Sequence, residues 1–125
     1  MEEAQKKLQA LSEEYQTLQT ELENIILGRQ KLESQQQENR GVQEEFASLD
    51  DESNIYKLVG PVLLKQEKSE AVMAVDGRLD FIEKEIKRIE TQIQDINNKS
   101  DKKRTEIIQL QSQIQQQAAA ASASA

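Results

Sequence analysis

The side chains on which enzymes most often rely are missing from this chain. It has no histidine and no cysteine, which removes imidazole bases, thiolate nucleophiles, zinc-thiolate centres and disulfides together. What remains is carboxylates, lysines and hydroxyls. The densest acids, Asp50-Asp51-Glu52, have the charge to attract a hard cation but lack the alternating oxygen ligands and sharp-turn glycine of a calcium loop. Solvated linker acids are the simpler reading. Lys99, Lys102, Lys103 and Arg104 form a basic cluster of the kind that invites a nuclear-targeting or nucleic-acid role, yet Asp101 interrupts it. On a helix these charges form a solvated face, with Lys103 able to snorkel from an inward position. Neither G-x-x-x-x-G-K-[ST] nor G-x-G-x-x-G occurs, so no phosphate cradle is expected. The expectation is a protein that is not an enzyme, with no catalytic residues, no metal and no cofactor.

Composition says what such residues are attached to. Only 36% of the 125 residues are hydrophobic and 3% aromatic, against 31% charged, which is too little apolar material for a thick globular core and suits long amphipathic helices. A net charge of −7 with few aromatics disfavours nucleic acid, whose binding needs clustered cations and stacking platforms. No run approaches the roughly 18 apolar residues of a membrane span, and the acidic start Met1-Glu2-Glu3 is unlike a signal peptide. A soluble cytoplasmic protein with no membrane partner is expected.

Two seams dominate the pattern. Leu8, Leu11, Tyr15, Leu18, Leu22, Ile25 and Leu32 recur at steps of three and four around a polar Arg29, a heptad signature. Gln36 and Asn39 hold the next inward positions, after which the apolar stripe resumes out of phase at Val42, Phe46 and Leu49, as a stutter would. Asn39-Arg40-Gly41 in the same stretch resembles a helix end. The second seam runs through Val72, Val75, Leu79, Ile82, Ile86, Ile89, Ile93 and Ile96, then polar Ser100 and Lys103, then Ile107, Leu110 and Ile114. Ser69 before Glu70 is a candidate N-cap, and Asp76-Gly77, across which the seam keeps its phase, reads as a weak spot inside the helix.

Between the seams, Ile55 to Val59 and Val62 to Lys65 are rich in strand formers and flank Gly60-Pro61, a turn signal. The expected fold is mostly α: two long antiparallel coiled-coil helices joined through a short β-hairpin. Residues 1–117 form a single domain (helix about 1–49, hairpin about 55–66, helix about 69–117), and 118–125 form a low-complexity Ala/Ser tail, expected to fray and given no role. Pairing is expected to begin where Leu49 meets Val72, which sets Leu18 opposite Lys103. An isolated two-stranded hairpin is marginal in water and has two open edges. Its apolar residues fall on both faces, with Leu58 and Leu63 available to one and Val59, Val62 and Leu64 to the other, depending on register. Joining hairpins from several chains would cover them; the alternative is a cap on the coil within a monomer.

The stretch from Asn54 to Gln66, with Gly28-Arg29-Gln30-Lys31-Leu32-Glu33 before it and Arg78-Leu79-Asp80-Phe81-Ile82 after it, resembles the beta-class prefoldin family over nearly the whole chain outside the tail. That resemblance implies a heterohexamer of two alpha-class and four beta-class subunits, in which hairpins build a platform and coiled coils project from it. It implies an ATP-independent molecular chaperone whose distal tips hold unfolded clients such as actin and tubulin and pass them to the cytosolic chaperonin. Tyr56, Leu58, Val59, Val62, Leu63 and Leu64 are then the candidate assembly surface. Leu8, Leu11, Tyr15, Ile107, Leu110 and Ile114 are the candidate client-binding residues, because apolar side chains at fraying helix ends are exposed at little cost; ordinary coil packing is their other reading. The rival to a chaperone is a coiled-coil scaffold or tether without affinity for unfolded chains.

Overall fold

The computed structural model describes residues 2–50 and 52–124. Met1 at the start of the first helix, Asp51 in the acidic linker and Ala125 in the tail lie outside the described residues. In chain order come α1 (Glu2–Ser48), β1 (Ile55–Val59), β2 (Val62–Gln66) and α2 (Lys68–Ser124).

Glu, Gln, Lys and Leu, all good helix formers, fill α1, and Glu2 and Glu3 stand favourably in its first turn. The helix does not end at Asn39-Arg40-Gly41. Asn39 Nδ2 donates to its own helix at the Gln35 carbonyl, 2.7 Å away, and Gly41 remains helical. Of the stripe expected after Asn39, Phe46 is half-buried, while Val42 and Leu49 are 38% and 36% exposed. Gln36 and Asn39 are half-buried at successive inward positions, and Gln43 is exposed and donates to Asp76 Oδ1 of α2 at 2.8 Å. At the end of α1, Leu49 N donates to the Phe46 carbonyl and Ser48 Oγ to the Glu45 carbonyl. The Lys68 ammonium donates to the Leu49 carbonyl at 2.7 Å, a cation at the negative helix end where the sequence supplies only acids.

The strands pair antiparallel, with Leu58 opposite Leu63 and Val59 opposite Val62. The two-residue turn between them follows from its chemistry. Gly60 takes φ +60°, and Pro61 is locked at negative φ, the sign pattern of a type II′ turn, whose twist matches the strands. Only Glu67 separates β2 from α2, and its carbonyl accepts the first helical hydrogen bond, from Ala71 N at 3.0 Å. Ser69 thus lies inside the helix and is not its N-cap, because the strand runs almost directly into the first turn. At the other end, the Ala/Ser run is helical to Ser124. Alanine has the highest helix propensity, so the helix extends past the last seam residue without packing, and these residues are exposed.

The chain divides into a terminal unit, Met1–Leu27 with Glu90–Ala125, and a hairpin unit, Gly28–Ile89. In the hairpin unit the core is one-sided: Ala71, Val75, Ile82 and Ile89 of α2 and Ile55 of β1 are buried, while Leu32, Gln36, Asn39 and Phe46 of α1 are half-buried. In the terminal unit Leu11, Ile96 and Ser100 are buried, and Leu8, Tyr15, Leu18, Leu22 and Ile25 share the seam with Ile93, Lys103, Ile107, Leu110 and Ile114, all half-buried. Among the described residues no helix is long and apolar enough to cross a membrane.

Candidate functional site

The hairpin register sorts its side chains into two faces, because residues directly opposite in an antiparallel pair point the same way. Tyr56, Leu58, Leu63 and Lys65 share one face; Ile55, Lys57, Val59, Val62, Leu64 and Gln66 share the other. Ile55 is buried at the root of the hairpin, whereas Leu58 is 69% and Leu63 63% exposed, and Tyr56, Val59, Val62 and Leu64 are exposed as well. The sheet has only these strands, so the outer backbone edge of each is open. All the candidate assembly residues thus fall on one small element, unpaired on both faces and both edges. Among the described residues nothing covers them.

The terminal candidates are arranged differently. Leu11 is buried, and Leu8, Tyr15, Ile107, Leu110 and Ile114 are half-buried in the helix pair. They line a seam and form no exposed patch. Sequence reasoning passed over Ile108, which neighbours the seam but points away from it and is 58% exposed. Heptad logic assigns Ile108 to the outer surface, where one isoleucine breaks an otherwise polar pattern, and that irregularity was the available signal. Ile26 and Leu27 are exposed in the same unit, as are Met73 and Phe81 on α2 in the hairpin unit.

Polar residues in the terminal seam are satisfied. Gln19 Nε2 donates to Ser100 Oγ at 3.3 Å, and Lys103 Nζ meets Glu14 Oε2 at 2.7 Å. The hydrogen bond to Glu14 raises the Lys103 pKa above its ordinary value, with the carboxylate's charge adding to the effect and burial opposing it. An open groove of about 650 Å³ beside this pair is lined by Ala10, Glu13, Glu14, Thr17, Leu18, Lys99 and Lys103, an apolar floor edged by both signs of charge. The pairings also shift the expected register. Lys103 pairs with Glu14 and lines one groove with Leu18, and in the hairpin unit Val72 lies beside Phe46 and Ala47. Gln19 opposite Ser100 and, in the hairpin unit, Gln43 opposite Asp76 each lie about half a turn from the expected register.

The basic cluster is a solvated face: Lys99, Lys102 and Arg104 are exposed, and Arg104 pairs with Asp101 at 3.4 Å. On α2 in the hairpin unit, Arg88 hydrogen-bonds Glu85 and holds that carboxyl below its usual value, one of several local pairs with Lys84–Asp80 and Lys87–Glu83.

This helix, hairpin and helix arrangement is similar to the solved prefoldin beta subunit of Thermococcus strain KS-1. It superposes with a TM-score of 0.76 at 25% identity, over 81% of this chain and 89% of that one. The sequence model of the prefoldin subunit family matches residues 2–116. This chain belongs to the prefoldin subunit family. Among curated prefoldins, it is 50% identical to prefoldin subunit 6 of Canis lupus familiaris over 96% of this chain and 94% of that protein. It is 50% identical to prefoldin subunit 6 of Homo sapiens, over 93% and 90%, and 52% identical to prefoldin subunit 6 of Saccharomyces cerevisiae, over 80% and 88%. The chain is a prefoldin chaperone subunit, and membership of that family implies association with other prefoldin subunits.

Proposed function

We propose that this subunit acts in the cytoplasm within a hexamer of two alpha-class and four beta-class prefoldin subunits. There it holds unfolded proteins, actin and tubulin among them, without ATP and passes them to the cytosolic chaperonin. Residues 1–117 act as one working domain and 118–125 as an appendage without a role in assembly or holding. The observation that carries this reading is the contrast between a hairpin whose apolar side chains are bare on both faces and helix ends whose apolar side chains are only half-covered. Tyr56, Leu58, Val59, Val62, Leu63 and Leu64 join the subunit to its neighbours. Leu8, Leu11, Tyr15, Ile107, Leu110 and Ile114 contact clients when the helix ends fray, a motion of low free-energy cost at chain termini, and Ile108 offers a contact that needs no fraying. Each such end binds weakly, and several on one assembly gain avidity through effective concentration.

The test is to blunt the ends. Gln19 faces Ser100, so removing 1–18 and 101–125 cuts both helices at one level and leaves the hairpin unit whole. Complexes built with every subunit shortened in this way keep their native mass and lose suppression of light scattering by a denatured client diluted into them. Full suppression by such complexes would reject the helix ends as the holding surface, and absence of suppression by the intact complex would leave only a scaffold.

A further inference from the structure

We propose that Lys57 selects the neighbour that covers the hairpin: it takes a strand of a different subunit that sets a carboxylate against its ammonium, and it disfavours a second copy of this chain. The inference rests on the hairpin being the assembly surface, as proposed above. In a chain with 23 acidic residues against 16 lysines and arginines, residues 55–66 hold Lys57 and Lys65 and no acid. The register puts one ammonium on each face, Lys65 opposite Tyr56 and Lys57 opposite Leu64. Both are exposed, and neither has an ion-pair partner among the described residues. Their surroundings differ. At the root of the hairpin, Lys65 lines a polar groove of about 520 Å³ with Glu52 and Glu67, so carboxylates of its own chain lie near it. Lys57 is the middle residue of β1, with Leu64 across the ladder and Ile55 and Val59 to either side on its own face.

Covering those apolar residues takes the ammonium out of water with them, which is strongly unfavourable without a counter-charge. A carboxylate on the covering strand offsets that cost through a charge-assisted hydrogen bond. A second copy of the hairpin has no acid with which to supply one. Two β1 strands paired antiparallel, edge to edge over their full length, set Lys57 directly opposite Lys57, because it is the central residue of five, and like charges directly opposite destabilise a ladder. A copy's β2 laid on the open edge of β1 in the register of the hairpin itself sets Leu64 against Lys57, which leaves the ammonium between two leucines. The open backbone edge accepts a strand of any sequence; the charge at its centre separates partner from copy.

Competition for limiting neighbours tests the selection. Equal amounts of the wild-type chain and a variant, told apart by native mass spectrometry, are reconstituted with a limiting amount of the other prefoldin subunits. Lys57→Met keeps the length and the apolar stem but leaves the partner's carboxylate unanswered, and it is outcompeted by about thirtyfold. Lys57→Glu loses by more, and Lys57→Arg, which keeps the charge, recovers entry. Lys65→Met, at the root of the hairpin, stays within about fivefold of the wild type. Entry of Lys57→Met equal to or above that of the wild type overturns the carboxylate, and an equal loss for Lys65→Met overturns the assignment to Lys57. Repulsion of copies is read from the mass of each full chain alone at raised concentration: Lys57→Met self-associates where the wild type stays monomeric. Equal masses for the two overturn it. If the wild type enters no complex, the assembly surface itself falls, while the masses of the chains alone still decide whether Lys57 keeps copies apart.

Discussion

The hairpin and the α2 seam are built from the same few aliphatic side chains, yet their fates are opposite. Ile82 of the seam is 5% exposed and Leu58 of the hairpin 69%. The seam has a partner supplied by its own chain, because α1 returns alongside it; the hairpin has none, because a two-stranded sheet cannot cover either of its own faces. Apolar composition alone does not distinguish a core from an interface. Whether the chain can fold back over the residues does.

The largest effect that would break this contrast comes from charging the hairpin. Leu58→Lys with Leu63→Lys places two ammonium groups on one face of the proposed assembly surface, where burial of an unpaired charge is prohibitive. Assembly is expected to be lost while circular dichroism stays helical; a complex of unchanged native mass would mean that the hairpin is not the interface. A smaller, opposite effect is expected in the seam. Ile82→Ala is expected to destabilise the complex by about 2–4 kcal/mol, read as a lowered midpoint in thermal or urea unfolding, without preventing assembly at low temperature.

Smaller again is the loss of the Glu14–Lys103 pair through Glu14→Gln. Glu14 raises the Lys103 pKa, so the pair's contribution is fully present below the ordinary lysine value and is lost as pH rises through the raised one. Both partners are partly exposed, and such pairs are screened. Wild type and variant are therefore expected to differ slightly in melting temperature at neutral pH, less in high salt, and not at all above the raised lysine pKa. A difference that persists there would assign Glu14 a role other than this pair. The smallest effect belongs to residues 118–125. They are helical but exposed, so their deletion is expected to change neither native mass nor client holding.

The hairpin was legible because strand formers bracket a Gly-Pro turn, and the second seam because Val72 to Ile96 keeps one spacing throughout. What escaped was set by neighbours rather than by local pattern. The cross-helix register followed from the single residue between β2 and α2, too fine a distance for strand and helix boundaries read from sequence. Among the candidate site residues, the hairpin set was readable as exposed from the isolation of its element. The half-burial of the terminal set, and the exposure of Ile108, required knowing which helix face the partner covers.

The tight Gly60-Pro61 turn has a consequence for the order in which the chain folds. Helix pairing across it begins with Lys68 and Leu49, 19 residues apart, and proceeds to Gln43 and Asp76, 33 apart, before Gln19 and Ser100, 81 apart. Closing the 81-residue loop directly costs about 1.3 kcal/mol more entropy than closing the 19-residue one, whereas zipping outward from the turn spreads that cost over short steps. Pairing is therefore expected to nucleate at the turn and to reach the chain ends last. By microscopic reversibility the same ends open first, so the folding pathway leaves its least committed contacts where an unfolded chain would be met.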